Sequence, residues 1–394
     1  MEEQTQFYRD TWAEIDLDAI HHNMEGIRSA LPKDVRVFVA VKANAYGHGD
    51  VQVSKAALEA GAHGLAVATL DEAIRLRKSG LDAPILLMGT SRPSDAGIAA
   101  ELRISLAVFQ TEWIQEAASH IKEGQKLRIH IKCDTGMGRL GIKKTEELKE
   151  IQAILKQSGK FHTEGIFTHF ATADQVSSDY YLKQVMRFEE MVEQLEDKPE
   201  YIHAANSASA LCHGNALFNT VRIGISLYGL APSEEVKPLL PYERKEAFSL
   251  HTKVSHVKKL EAGESIGYGA TYTASGEEWI ATVPIGYADG WIRKLQGIEV
   301  VAGGGKAKVV GRICMDQMML RLPCHMPIGT DVTLIGRQGD QFVPVDEIAD
   351  YLDTINYEVT CMISARVPRV YKKSGKTLGI DNPVLCRTFL KKMS

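Results

Sequence analysis

The chain has 394 residues, 44% apolar and 24% charged, with a net charge of −4. These are the values of an ordinary globular protein with enough material for two domains or one large domain with an appendage. There is no long basic run, which excludes nucleic acid or an anionic membrane as the main partner. No window approaches the roughly 18 apolar residues of a membrane span, and the polar start MEEQTQFYRD lacks a signal-peptide core. Six cysteines (Cys133, Cys212, Cys314, Cys324, Cys361 and Cys386) are scattered without CxxC spacing. That pattern predicts reduced thiols and a cytoplasmic location rather than a disulfide framework or a zinc site.

Through residue 230, short apolar runs alternate with longer amphipathic ones. The strand candidates in chain order are AEIDL, RVFVAVK, GLAVA, PILLMG, ISLAVF, LRIHIKC, TEGIFTHF, YIHAAN and TVRIGISLYG. Between them lie helical patterns such as DVQVSKAALEAG, LDEAIRLRKSG, TEWIQEAASHIKEG and KTEELKEIQAILKQSG, several of which end in the glycine that commonly stops a helix. Alternation with close to eight repeats predicts a parallel sheet with crossover helices, closed as a (β/α)8 barrel rather than opened as a doubly wound sheet. The segment APSEEVKPLLPYERKEAF, rich in proline and charge, then marks a boundary. Beyond it the candidates HTKVSHVKKL, EEWIATVPIGY, KAKVVGRICM and DVTLIG are short and separated by turns. GIEVVAGGGKAKVVG reads as a hairpin. The prediction is an α/β barrel over residues 12–240 and a mostly-β domain over 241–394 that also takes residues 1–11.

The run VFVAVKANAYGHGD raises a chemical question, because a buried strand ends on Lys42. Lysine is rarely buried without a partner. At the carboxyl end of a barrel strand it would face the end where such folds keep their active sites, and a desolvated amine there suits Schiff-base or proton-transfer work. The plainer alternative is a surface lysine at the end of a strand. Gly47 and Gly49 allow close backbone approach to a ligand, and Tyr46 offers a hydroxyl to an anion. His48, His130, His169 and His203 sit at strand ends, but without HxH or HxxxH spacing they do not predict a metal site.

The motif VAVKANAYGHG resembles the pyridoxal-phosphate attachment signature of the alanine racemase family. CDTGMGRLG, THFATAD, HAANSAS, VRIGISLYGLAP, GYGATY, PIGYADGW, GRICMDQ and INYEV are similar to further family segments, in the family's order, from about Trp12 to Arg369. The resemblance implies a bacterial enzyme that interconverts L- and D-alanine by two bases acting on a pyridoxal-phosphate aldimine, supplying D-alanine for peptidoglycan.

It implies Lys42 as the cofactor's tether and one base, and Tyr268 as the opposing base. A free tyrosine ionises near pH ~10 and needs a cation beside it to serve near neutrality. Arg139 matches the arginine beside that phenol, and Met315 a residue whose backbone N–H meets the substrate carboxylate. Arg222 matches the partner of the pyridine nitrogen. Being always protonated, it would leave that nitrogen as an acceptor and make the ring a weaker electron sink. Tyr46, Ser207, Gly224, Ile225 and Tyr357 match phosphate ligands, and His169 a residue near the pyridine face. Lys132 matches a lysine that can be carbamylated to hold the arginine. Tyr287, with Arg293 and Asp174, matches the corridor that admits small substrates.

The resemblance further implies a homodimer in which Tyr268 and Met315 complete the partner's site. On the same scaffold, a broad-specificity or serine-type racemase is one alternative. A pyridoxal-phosphate carrier barrel without catalysis is another, although such carriers resemble the N-terminal half only. A related decarboxylase would carry an acidic residue in the place of Arg222.

Overall fold

The computed structural model describes residues 7–385, and its contacts divide them into two units. One comprises residues 19–45 and 50–245; the other comprises 7–18, 46–49 and 246–385. Cys386 and residues 1–6 lie outside the described residues.

The first strand, β1 (Thr11–Asp16), belongs to the second unit. The first unit is a barrel of eight parallel strands: β2 (Arg36–Ala40), β3 (Gly64–Val67), β4 (Ile85–Leu87), β5 (Ile104–Val108), β6 (Leu127–Lys132), β7 (Phe161–Phe167), β8 (Tyr201–His203) and β9 (Thr220–Ile223). β9 pairs with β2, with Arg36 opposite Thr220 and Val39 opposite Ile223, and this closes the barrel. These strands are apolar on both faces because each is covered by the barrel interior on one side and by helices on the other; β3, β4 and β5 are buried throughout. The crossover helices follow local signals. Thr69 and Glu72 form a reciprocal capping box at the start of helix Leu70–Lys78. Gly159, with φ of 62°, ends helix Thr145–Ser158 in the left-handed conformation that favours glycine.

The second unit is built on an eleven-stranded mixed sheet. β1 pairs antiparallel with β10 (Phe248–Lys253) and parallel with strand Arg369–Lys373. The sequence pattern puts AEIDL in a barrel that begins at residue 12. The barrel unit instead begins at Ala19, because β1 is buried on alternate residues only and so fits an open sheet with one covered face. HTKVSHVKKL resolves into two strands, β10 and His256–Leu260. The expected hairpin pairs Glu299–Ala302 with Gly305–Val310. Its two-residue turn, Gly303–Gly304, has positive φ at both positions, as a turn matched to strand twist requires.

Cys133, Cys212, Cys314, Cys324 and Cys361 are free thiols. Among the described residues no helix is long and apolar enough to cross a membrane.

Candidate active site

Four consecutive non-glycine residues after β2, Ala43 to Tyr46, lie in the left-handed region with φ between 52° and 54°. Each such residue costs roughly 1–2 kcal/mol, so the turn is held from outside. Glu72 accepts from the Ala43 N–H at 2.6 Å, the Ala45 N–H donates to the Val41 carbonyl at 2.9 Å, and the Asn44 side chain accepts from the Asp50 N–H at 3.1 Å. The strain sits where β2 delivers half-buried Lys42 to the carboxyl end of the barrel.

The same end of the barrel receives residues from later strands. Lys132 closes β6, His169 follows β7, Ser207 follows β8, and Arg222 lies in β9 with Gly224 and Ile225 after it. Arg222 is buried and densely bonded. Nη1 donates to His203 Nδ1 at 2.7 Å and to the His203 carbonyl at 3.2 Å. Nη2 donates to the carbonyls of Thr168 at 2.7 Å and Ala204 at 2.9 Å, with His169 Nδ1 at 3.3 Å. The four Nη protons are thereby used, and Nε–H is left without a partner among the described residues. Burial brings the guanidinium down to about 9, so it remains a cation at neutral pH.

Burial shifts other groups at this end toward their neutral forms. Lys132 lies over the Phe167 ring, 4.5 Å from its centre. Burial, with the charge of Arg222 next in weight, brings its ammonium down to about 7. His169 falls well below the ordinary imidazole value, first through burial and then through Arg222. The buried Ser207 hydroxyl accepts from the Gly224 N–H at 2.9 Å, so a seryl oxygen and a backbone donor meet where a 3₁₀ turn, Ile225–Tyr228, begins. Asp134 accepts from the N–H groups of Gly136 and Gly138 and so shapes the loop that carries the exposed Arg139.

Four expected residues fall in the second unit. Tyr46 and Tyr357 have ring centres 5.9 Å apart, and burial pushes the Tyr46 phenol up. Tyr268 begins a short turn between Gly267 and Gly269, both at positive φ, and is 70% exposed. A side chain at Gly269 would come within 3.1 Å of Arg312, so glycine there lets that guanidinium approach the turn. Met315 is also exposed. Its carbonyl accepts from the Ala288 N–H and the Cys314 carbonyl from the Tyr287 N–H, both at 3.0 Å, which ties the Met315 loop to Tyr287. The expected residues therefore divide: Lys42, Arg139, His169, Ser207, Arg222, Gly224 and Ile225 belong to the barrel, while Tyr46, Tyr268, Met315 and Tyr357 belong to the sheet unit. Sequence reasoning missed Glu164 and assigned no role to His130 and His203. The three form one buried hydrogen-bonded chain behind Arg222.

This donor set fits pyridoxal phosphate. The ε-amine of Lys42 suits its aldehyde. Ser207 and the N–H groups around Gly224 suit its phosphate. Arg222, with one N–H left over, suits a ring nitrogen that accepts.

The comparisons agree with that fit. Residues 15–232 match the family model "Alanine racemase, N-terminal domain" and residues 247–371 match "Alanine racemase, C-terminal domain". The second match sets aside a carrier barrel, which would resemble the first half alone. An alanine racemase of Geobacillus kaustophilus is 56% identical over 96% of this chain and 99% of its own length. Alanine racemase 1 of Bacillus subtilis is 51% identical over 96% of this chain and 97% of its own. The crystal structure of the Bacillus anthracis alanine racemase with bound L-Ala-P superposes with a TM-score of 0.94 at 49% identity, covering 97% of this chain and 100% of that one. The chain belongs to the alanine racemase family.

Proposed function

We propose that the chain interconverts L- and D-alanine with pyridoxal phosphate as its cofactor, using Lys42 and Tyr268 as opposed bases. When bound, the cofactor supplies an aldehyde for the amino group and an electron-withdrawing ring that acidifies the α C–H. Lys42 Nζ would hold the cofactor covalently and would also take or return the α-proton on one face of the α-carbon. Tyr268 Oη serves the other face, so the configuration inverts without the substrate turning over. Arg222, whose Nε–H has no protein partner among the described residues, would serve the ring nitrogen as a donor. Because it stays a cation at neutral pH, it would keep that nitrogen an acceptor and restrain reactions that need a stronger electron sink. Ser207, Gly224 and Ile225 would hold the phosphate, Tyr46 and Tyr357 are assigned to it as further ligands, and His169 would serve the ring. Arg139 offsets charge on the phenol of Tyr268 and Met315 N–H receives the substrate carboxylate. A carbamate on Lys132 would hold Arg139, and an amine brought down to about 7 presents a large uncharged fraction, the form that carbamylation requires.

The two bases belong to different units, and Tyr268 and Met315 are exposed on theirs. This supports a homodimer in which the partner subunit's Tyr268 faces Lys42. We place the enzyme in the cytoplasm of a bacterium, where it supplies D-alanine for peptidoglycan.

The observation that carries the reading is the buried, four-bonded Arg222 with one N–H to spare, at the barrel end where Lys42 arrives. A chiral assay of purified holoenzyme over a panel of L-amino acids tests it. L-alanine should racemise fastest. Faster racemisation of L-serine would reassign the substrate, and no racemisation of any amino acid would refute the reading.

A further inference from the structure

The interior of a parallel barrel is ordinarily filled by branched apolar side chains. Here it holds four buried ionisable ones in series: Arg222, His203, His130 and Glu164. His203 Nδ1 lies 2.7 Å from Arg222 Nη1, His203 Nε2 lies 2.8 Å from His130 Nδ1, and His130 Nε2 lies 3.2 Å from Glu164 Oε2. The far end is anchored by the Ser105 hydroxyl, which donates to Glu164 Oε2, and by Arg128, 3.3 Å from Glu164 Oε1.

The inventory of protons in this series has one solution. A guanidinium can only donate, so His203 Nδ1 must accept and its proton must sit on Nε2. That N–H points at His130 Nδ1, which must accept in turn, leaving the His130 proton on Nε2. Only an acceptor can follow, and Glu164 is one. Burial lowers both imidazoles, His203 well below the ordinary value, so both rings are neutral. Burial opposes the charge on Glu164, but hydrogen bonds from His130 and Ser105 more than offset it and hold the carboxyl below its ordinary value. The His130–Glu164 contact is therefore a hydrogen bond to a carboxylate rather than an ion pair.

The fold is shaped around this series. The β6–β7 register slips between Ile129 and His130, an irregularity of the kind that re-aims a side chain. Gly165 opposes His130, and a side chain there would lie 2.3 Å from His130 Nδ1. The ring planes are pinned as well: His203 stacks on Phe167 at 4.9 Å and His130 on Tyr201 at 5.7 Å.

We propose that Glu164 is a positioning residue for racemisation: through His130 and His203 it fixes the Nε2–H tautomer of both imidazoles, and with it the acceptor that orients Arg222. This rests on the reading of Arg222 as the partner of the cofactor's ring nitrogen. Without an acceptor at residue 164, His130 can shift its proton to Nδ1. His203 Nε2–H then meets another N–H, and the rearranged ring turns a donor toward Arg222.

The test uses full-length holoenzyme labelled with ¹⁵N-histidine, with alanine kinetics beside the spectra. In the wild type both His130 and His203 should be neutral and carry the proton on Nε2. A proton on Nδ1 of either ring, or a doubly protonated ring, overturns the proposal without any variant. Glu164→Ala should mix the tautomers of both rings, shift the absorption band of the bound cofactor and lower kcat by about tenfold, with KM for alanine within about twofold. Glu164→Gln offers a carbonyl oxygen to His130 Nε2–H and should restore the tautomers and most of kcat. A Gln variant as impaired as the Ala variant, or an Ala variant with wild-type tautomers and kcat, overturns the role. If the racemase reading itself failed, wild-type protein would not racemise alanine whatever the tautomers.

Discussion

Arg222 and Tyr268 stand at opposite extremes. Arg222 is buried in a barrel strand with four N–H groups committed to neighbours in its own unit. Tyr268 sits on a two-glycine turn with most of its ring in solvent. The barrel thus carries a prebuilt electrostatic environment, whose donors are oriented before any ligand arrives. The sheet unit carries a side chain that its own chain leaves largely open to solvent. The contrast teaches that burial separates the residue proposed to set the cofactor's electronic state from the residue proposed to meet the α-carbon.

The sharpest way to break this comparison is at Lys42, the proposed covalent tether on the prebuilt side. Lys42→Ala should lower racemisation by at least about 10³-fold, since it removes both tether and base. Borohydride reduction of the wild type followed by peptide mapping should label Lys42. A label on another lysine would contradict the assignment.

The contrast in burial should next appear in stability. Arg222→Leu strands His203 Nδ1 and two buried carbonyls, and should cost about 3–5 kcal/mol in urea unfolding. Tyr268→Phe, on an exposed turn, should stay within about 0.5 kcal/mol of wild type while still impairing turnover. Equal stability losses in the two variants would erase the distinction.

A smaller effect concerns Lys132. In the fold its amine is neutral above about 7, whereas in the unfolded chain it stays protonated up to the ordinary 10.5. The unfolded state therefore binds the extra proton between those values, and stability rises with pH across that window, by up to about 1.4 kcal/mol per pH unit for one proton. Lys132→Met should flatten this rise in CO2-free buffer. An unchanged profile would show that Lys132 does not titrate in this way.

Much of this architecture was legible in the sequence, and particular residues show where legibility ended. The barrel strands read clearly because burial on both faces makes them continuously apolar, as in ILL of β4 and ISLAV of β5. β1 was misassigned to the barrel although its burial alternates, a pattern its sequence TWAEID already carries. That the strand delivers Lys42 to the barrel's carboxyl end was legible in the sequence, but the left-handed turn after it was not. Only Asn44 among Ala43–Tyr46 is a residue type that tolerates that conformation readily. The His130–Glu164 pair lies on adjacent strands with a register slip between them, and no local pattern reports a slip. A histidine on an apolar strand beside a Glu-Gly pair was the available hint.

The central claim is that Lys42 and Tyr268 act on opposite faces of one substrate and come from two copies of the chain. Mixing Lys42→Ala chains with equal Tyr268→Ala chains, under conditions that exchange subunits, tests it directly. Each parent homodimer is inactive at both sites. In a mixed dimer one site collects both lesions and the other receives both residues intact. Random pairing makes half the dimers mixed, so activity should return to about a quarter of wild type, by counting sites in a two-fold dimer. If Tyr268 served its own chain, every site would carry a lesion. A flat result, with exchange verified by mass-tagged subunits, would contradict the shared site.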